Sequence, residues 1–327
     1  MTSRHRGSWA SLTLCALALM AGAQPHRAAR AAQPTPDLQV QGEYLGKLSR
    51  ETLGAQVIAL GRGRYTVVFL PGGLPGDGWD RRTRAQAPAV TEGDVVQIGQ
   101  GGTGWSGEIA GGKIKGRTAK DAPFELARVT RVSPTLGARP PSGAMVLFDG
   151  TNVNAWQGGS MTPDHLLENG TRTRKAFQDF AMHVEFRVPY KPEARGQDRG
   201  NSGIYLVGRY EVQILDSFGM EGTEGKVQDC GAIYWQKAPN LNMCYPPLTW
   251  QTYDIDFRAV RRDDEGRKTR PAVITVRHNG VVVHDRYELS GNTGNAGRYP
   301  ETGSPAPISL QSHGNPVVFR NIWIVEK

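Results

Sequence analysis

The sequence predicts an all-β protein, with two large packed sheets preceded by a small antiparallel β module. Three observations predict it. Short runs alternate apolar with polar residues, the period of a strand with one buried face. Gly (41) and Pro (21) fall between those runs, where turns require them. No long stretch carries the apolar spacing of a helix, so no crossover helices separate the strands, and antiparallel pairing follows. A chain of 327 residues suits two domains, or one large β domain with an accessory.

Residues 1–23 read as a secretory signal peptide. Arg4, His5 and Arg6 form a basic start, residues 9–20 a short apolar core, and Ala21-Gly-Ala23 an A-x-A cleavage site before Gln24. A second site after Ala32 also fits. The apolar core is too short to span a bilayer, and no Cys follows it to carry a lipid. The reading is an exported chain, periplasmic or extracellular, with no transmembrane segment once mature. Residues 24–37 are rich in Ala, Arg and Pro and are expected to be disordered.

The leader removes Cys15 and leaves Cys230 and Cys244. Two thiols in an exported chain predict one disulfide over a short loop, with a stabilisation of about 3 kcal/mol. The rival readings are a free buried pair or a metal site, and two Cys without a His cluster make a poor zinc site. The net charge of +8 is scattered without a basic stripe. It reads as a solvated basic surface and gives no reason to expect a nucleic-acid partner.

Residues 38–132 form the first module. Residues 38–45 alternate, and 55–60 and 65–70 flank Gly61-Arg-Gly63, a hairpin signal. The loop 71–79 is Gly-rich and ends in Trp79, which is either a platform for a sugar ring or a cap on the sheet end, the second being commoner. Strands are expected at 94–99, 105–110, 112–117 and 123–132, with a turn at Gly111-Gly112. The sum is a meander of six or seven strands. Residues 133–143, with Pro134, Pro140 and Pro141, read as a linker that few contacts cross.

The second domain covers 144–327. Phe180, Met182, Val184, Phe186 and Val188 face one way, and His183, Glu185 and Arg187 the other. Tyr253, Ile255 and Phe257 alternate with Asp254 and Asp256, which are expected on a solvated face. Asn279-Gly280 between 273–278 and 281–285 is the strongest hairpin signal in the chain. The apolar stretch 317–325 reads as a central strand.

The stretch 201–216 is the candidate site. It predicts two strands with a turn near Gly208, so that Glu211 and Gln213 share a face about 7 Å apart and Tyr210, Val212 and Ile214 share the other. A Glu and a Gln on one face are either an ordinary solvated face or a working site. Asn201-Ser-Gly at the start and Asp216 at the end favour looking for a site.

Motifs in order carry a resemblance. Leu147-Phe-Asp-Gly-Thr-Asn-Val-Asn-Ala-Trp156, Gly200-Asn-Ser-Gly-Ile-Tyr205, Tyr210-Glu-Val-Gln-Ile-Leu-Asp216, Gly231-Ala-Ile-Tyr234, Trp250-Gln-Thr-Tyr-Asp254, Asn279-Gly280, Leu310-Gln-Ser-His-Gly314 and Phe319-Arg-Asn-Ile322 together resemble the 3-keto-disaccharide hydrolase domain family over about 145–327. The resemblance implies a concanavalin A-like jelly-roll sandwich and action on glycosides oxidised at sugar carbon 3. In the related retaining glucanases, E-x-D-x-x-E supplies the paired acids. Glu211, Gln213 and Asp216 stand at those spacings, with the middle acid replaced and the last shortened. Retaining hydrolysis needs two carboxyl groups about 5–5.5 Å apart, so this pattern argues against it.

A 3-keto sugar offers β-elimination instead, which needs one base, one proton donor and a group to stabilise the enolate. Glu211 is the candidate base, and Asp216 or His313 the acid. Asn201, Gln213 and Gln311 are candidates to hold hydroxyls. A cation from 191–199, Arg199 among them, or a divalent metal would stabilise the enolate; no cofactor is firmly implied. Of Tyr234 and Trp235 only one is expected to face a cleft, and Tyr234 is the candidate. Arg320 and Asn321 are expected to pair with acids or backbone. Asp149-Gly150 and Asn152 read as a turn or as ligands to calcium. The partner implied is a carbohydrate substrate. Two other readings stay open: a non-catalytic carbohydrate-binding module on the same fold, and a conventional retaining glycosidase.

Overall fold

The computed structural model describes residues 36–99, 104–220, 226–294 and 301–327. The expected leader and nearly all of the stretch expected to be disordered lie outside them. The described residues fall within one compact unit. The end of the disordered reading is corrected: Pro36–Val40 is a short helix, α1, and Asp37 accepts a hydrogen bond from Tyr65 Oη at 2.7 Å.

Eight antiparallel strands close the first module into a barrel. They are β1 (Gly42–Leu48), β2 (Glu51–Gly61), β3 (Arg64–Pro71), β4 (Ala85–Glu92), β5 (Val95–Ile98), β6 (Ser106–Ala110), β7 (Lys113–Arg117) and β8 (Pro123–Val129). The meander of six or seven strands expected from the sequence is a closed barrel of eight, because β1 pairs with β2 on one side and β8 on the other. Closure removes the free edges that an open sheet would expose. Tyr44, Val57, Val67, Phe69, Ile114 and Leu126 fill the interior, and Trp105 stacks on Phe69 at 4.4 Å.

The outer faces of β2 and β3 are buried too. Ile58, Val68, Leu70 and Leu74 belong to the core of the second domain, while Val57, Val67 and Phe69 belong to the barrel. A strand buried on both faces reads as a continuous apolar run, as in 65–70. The linker is likewise not a free connection. Ser133 Oγ lies 2.6 Å from Thr252 Oγ1, Thr135 Oγ1 donates to Asp254 Oδ2 at 2.7 Å, and Gly137 N donates to Glu185 Oε1 at 2.5 Å. The expectation that few contacts cross it is therefore corrected.

The second domain is a jelly-roll sandwich of two antiparallel sheets. The strands run β9 (Met145–Phe148), β10 (Trp156–Gln157), β11 (Leu167–Glu168), β12 (Thr171–Thr173), β13 (Phe180–Arg187), β14 (Ser202–Leu206), β15 (Tyr210–Ile214), β16 (Gln251–Arg258), β17 (Arg261–Arg262), β18 (Lys268–Arg270), β19 (Val273–His278), β20 (Val281–Glu288), β21 (Ser309–Leu310) and β22 (Val318–Glu326). One sheet has the order β10-β12-β21-β14-β15. The other runs β11-β22-β13-β16-β19-β20, with β9 also on β22; β17 and β18 form a separate ribbon.

The alternation read from β13 holds: Phe180, Met182, Val184 and Phe186 are buried in the core between the sheets. Its other face carries a polar cluster rather than solvent. His183 Nδ1 sits 2.6 Å from Asp254 Oδ1, and Glu185 accepts from Arg320 Nε at 2.7 Å and Asn321 Nδ2 at 2.9 Å. These donors and the neighbouring His183 outweigh the burial that opposes them, and hold the Glu185 carboxyl down at about 2. Asp254 is thus half-buried under the linker rather than freely solvated, whereas Arg320 and Asn321 pair with an acid as expected. Asn279 and Gly280 turn the β19–β20 hairpin with φ of 50° and 80°. Asp149 Oδ1 accepts from Thr151 N at 3.0 Å, so that motif is a turn.

Candidate active site

The site is built on the β14–β15 hairpin, whose turn at Gly208 sets the register Gly203↔Gln213 and Tyr205↔Glu211. Cross-strand partners share a face. Tyr205, Glu211 and Gln213 therefore point together, away from the core that holds Tyr210, Val212 and Ile214. With Asn201, Tyr234, Trp235, Gly294, Gln311 and His313 they line a pocket of about 310 Å³. Six of the eight catalytic and binding residues expected from the sequence meet there: Asn201, Glu211, Gln213, Tyr234, Gln311 and His313.

Three neighbouring segments complete it. Along the edge strand β15, Tyr234 N donates to Glu211 O at 3.1 Å and Gln213 N to Ala232 O at 2.9 Å, which brings Tyr234 beside Glu211. After β21, Gln311 N donates to Gly203 O at 2.8 Å and Ser202 Oγ to Gln311 O at 2.7 Å, which turns Gln311 and His313 to the pocket. Across Glu211, Thr293 Oγ1 accepts from Glu211 N at 2.7 Å, and Gly294 closes over the carboxyl. Gly203 is required by space: a Cβ there would lie 2.2 Å from Glu211 Oε1.

Burial dominates the chemistry of Glu211. The side chain is 2% exposed, and loss of water raises its carboxyl to about 7, only partly offset by a hydrogen bond from the Tyr205 phenol. Burial and the adjacent Glu211 charge push the Tyr205 phenol itself upward. Gln213 lies between Glu211 and Gln197. In one amide orientation Nε2 donates to Gln197 Oε1 at 2.9 Å while its oxygen faces other oxygens. Turned about, Nε2 donates to Ser202 O at 2.7 Å and to Glu211 Oε1 at 3.2 Å. The second orientation adds a donor to the carboxylate. Gln311 Oε1 is buried with no hydrogen-bond partner among the described residues, an acceptor left open toward the pocket.

Asp216 and Arg199 are corrections. Neither lines the pocket; both are buried and joined by Arg199 Nε donating to Asp216 Oδ2 at 2.7 Å. The two residues between Gln213 and Asp216 carry the latter off the pocket face, and no bulge restores it. The expected enolate cations are also engaged elsewhere. Lys191 Nζ donates to Asn315 Oδ1 at 2.6 Å, and Arg195 to Pro192 O at 2.6 Å and Leu60 O at 3.1 Å. Among the described residues no group of three or more His, Cys, Asp or Glu is arranged to hold a metal ion.

Cys230 and Cys244 are free buried thiols, which corrects the expected disulfide. Cys230 Sγ lies 3.2 Å from Tyr253 Oη, and Cys244 Sγ donates to Leu215 O and Tyr245 O, each at 3.4 Å. Each sulfur thus has its own polar partner beneath the site strand. Burial, then the neighbouring Cys230, pushes the Cys244 thiol up.

Tyr205, Trp235, Gln197 and Gly294 were not anticipated. A turn centred on Gly208 pairs position 205 with 211, so Tyr205 was available from the register. Trp235 breaks the alternation that made it Tyr234's opposite: its φ is +60°, and the indole, 61% exposed, sits edge-on to Tyr234 at 5.9 Å. Gln197 accepts from Asn201 Nδ2 at 3.1 Å across a loop that no pattern predicts.

The profile of the 3-keto-alpha-glucoside-1,2-lyase-like domain matches residues 143–325. Among solved structures, a candidate glycosyl hydrolase from Parabacteroides distasonis ATCC 8503 is 37% identical, covers 57% of this chain and 85% of its own, and has a TM-score of 0.52. Another from the same organism is 18% identical, covers 57% of this chain and 94% of its own, and has a TM-score of 0.42. No curated protein matches the chain.

Proposed function

The chain belongs to the 3-keto-alpha-glucoside-1,2-lyase-like domain family, and we propose that it cleaves glycosides already oxidised at sugar carbon 3 by base-led β-elimination. The family and the likeness to a candidate glycosyl hydrolase support a glycoside-acting function. One observation carries the finer reading. Glu211 is the single carboxylate among the described residues that line the pocket, and its carboxyl is held at about 7. Paired-carboxylate hydrolysis needs a second acid about 5–9.5 Å away. A lone desolvated carboxylate suits proton abstraction, because a base is most effective with its pKa near the working pH.

In this reading Glu211 takes the proton from carbon 2, which the neighbouring ketone acidifies. The C–H electrons pass into the enolate, then form the carbon 1–carbon 2 double bond as the glycosidic oxygen leaves. His313, exposed at the pocket mouth, gives that oxygen its proton. Addition of water across the double bond gives net hydrolysis. Tyr234 Oη accepts from Gln228 Nε2 at 3.2 Å, which leaves its own O–H to meet the enolate oxygen. Asn201 and the open Gln311 Oε1 take sugar hydroxyls. Trp235 offers a face to the departing ring.

Mass spectrometry of 3-keto-trehalose or 3-keto-sucrose after incubation tests this. The expected products are the unsaturated keto-sugar or free 3-keto-glucose. Binding without any product would make the domain a carbohydrate-binding module, and equal cleavage of the unoxidised disaccharide would make it an ordinary glycosidase. Export belongs to the same proposal, on the basic start, apolar core and A-x-A of residues 1–23. N-terminal sequencing of the mature protein should begin at Gln24 or just after Ala32.

A further inference from the structure

The reaction pocket has two unlike ends. Asn201, Glu211 and Gln213 are buried at its inner end, whereas Trp235, Gly294 and His313 are exposed at its mouth. Resting on the reaction proposed above, we infer that the mouth is a subsite for an uncharged aromatic leaving group that stacks on Trp235. The preferred substrates are then aryl-bearing glucosides oxidised at carbon 3.

The backbone holds the indole outward. Trp235 has φ of +60°, a left-handed conformation that a bulky residue takes only where its surroundings enforce it. Here they do. Ile233 N donates to Lys237 O at 2.9 Å and Lys237 N to Ile233 O at 3.0 Å, which closes a turn around residue 235. On one side Trp235 N donates to Val227 O at 3.0 Å. On the other, Gln236 Nε2 donates to Gly291 O at 2.5 Å, and Gln236 Oε1 accepts from Ser290 N at 3.1 Å. The indole belongs to neither hydrophobic core. Tyr234 stands steeply to it, at 69°, and with 61% of Trp235 exposed a flat face stays open to the pocket. A large apolar side chain set in a fixed turn and left exposed at a pocket mouth marks a ligand contact.

The chemistry of the leaving group follows from what stands at the mouth. A second sugar presents hydroxyls around its ring and needs donors and acceptors to meet them. The amides of Asn201 and Gln213 lie at the buried end, where the oxidised sugar sits. Of the three mouth residues only His313 is polar, and its proton goes to the glycosidic oxygen. No Lys, Arg or second carboxylate lines the pocket among the described residues, so a charged leaving group would lose water without gaining a counter-ion. A neutral arene needs a flat apolar face and no hydrogen bond. Offset stacking on an indole attracts it by more than the area it buries.

Calorimetric titration of the full chain with benzyl glucoside, cyclohexylmethyl glucoside and trehalose, the two glucosides as both anomers, reads the mouth without chemistry. Benzyl and cyclohexylmethyl alcohol are alike in bulk and acidity and differ in the flat ring. For at least one anomer the benzyl glucoside should bind about two- to tenfold tighter than its cyclohexylmethyl counterpart, the gain that one aromatic pair gives, and tighter than trehalose. Trp235→Gly should close that gap. Glycine takes φ of +60° freely, so the turn keeps its shape. Trp235→Phe should keep part of the gap. On the 3-keto forms, kcat/KM should follow the same order. If those forms give no product while the binding order holds, the reaction fails and the subsite stands. If they are cleaved with no preference for the benzyl compound, the subsite fails and the reaction stands. Trehalose bound as tightly as the benzyl glucoside would make the mouth a sugar subsite and overturn the inference. So would no binding by any of the three, or a gap that survives in Trp235→Gly.

Discussion

Arg199 and Asp216 form a buried ion pair at the seam of the molecule, and the same guanidinium donates through Nη1 to Ala59 O of the barrel at 3.2 Å and to Pro192 O at 3.1 Å. Burial pushes the Asp216 carboxyl up while Arg199 pulls it down. The pair anchors the loop that precedes Asn201 instead of taking part in chemistry. Arg199→Met leaves an uncompensated buried carboxylate, and breaking such a pair costs about 3–5 kcal/mol. Urea unfolding should show a loss of that order. Turnover per folded molecule should change little, and a fall of about 10²-fold in Asp216→Asn would return that residue to the catalytic group.

The shared core bears on whether the second domain stands alone. Residues 144–327 without the rest lose Ile58, Val68, Leu70 and Leu74 from their core, and Glu185 loses the donor from Gly137 N. Full burial of each such aliphatic side chain contributes about 1.5–3 kcal/mol, comparable in sum to the whole stability of a domain. That fragment is expected to be insoluble or to melt far below the full chain. A soluble fragment with the parent's melting temperature would show that the barrel is a passenger.

How far the sequence reveals this protein follows from the range of each signal. Strand faces and hairpins are local: the β13 alternation, Gly61-Arg-Gly63 and Asn279-Gly280 are all where they were read. The Glu211–Gln213 face was legible for the same reason, as both lie on one strand. Barrel closure was not, because pairing β1 with β8 joins residues such as Glu43 and Val129, and nothing local marks a partner that distant. The continuous apolar run of β3 was the available hint that its outer face is covered. Asp216 falls off the pocket face because β15 ends at Ile214, an end that the spacing from Glu211 does not mark. Trp235 was misplaced because a left-handed residue cannot be seen in an alternation pattern.

Glu211 couples activity to pH and opposes stability. Its folded carboxyl titrates at about 7, above the ordinary carboxylate value near 4.5 that it takes when unfolded. Between those values the folded state holds a proton that the unfolded state has released. Stability from this group is therefore complete below about pH 4.5 and is lost as pH rises through about 7, by about 3 kcal/mol in all. Glu211→Gln keeps the shape of the neutral acid. It should raise the melting temperature at pH 8 and change it little at pH 4.5. The pH profile of kcat/KM on a 3-keto-glucoside should fall on the acid side with an apparent value near 7. A profile flat down to pH 5, or a variant no more stable at pH 8 than its parent, would place the carboxyl in a wetter setting.

The bond broken first distinguishes elimination from ordinary hydrolysis. If Glu211 removes the carbon 2 hydrogen, Glu211→Gln should still bind a 3-keto-glucoside but lose about 10²–10⁴-fold in turnover, the usual range for a general base. Tyr205→Phe removes the phenol that bonds to the carboxyl, and should shift the pH profile upward without abolishing turnover, since burial alone then sets the acidity. Deuterium at carbon 2 should slow the parent enzyme wherever proton removal limits the rate. That deuterium should also be missing from the released keto-sugar, because elimination breaks the bond and hydration draws hydrogen from water. The unoxidised glycoside should be a poor substrate, since no ketone acidifies its carbon 2. Retention of the label, together with equal rates on oxidised and unoxidised glycosides, would mean that carbon 1 is attacked directly. The pocket would then need a second carboxylate, and the locked pair of Asp216 with Arg199 does not supply it.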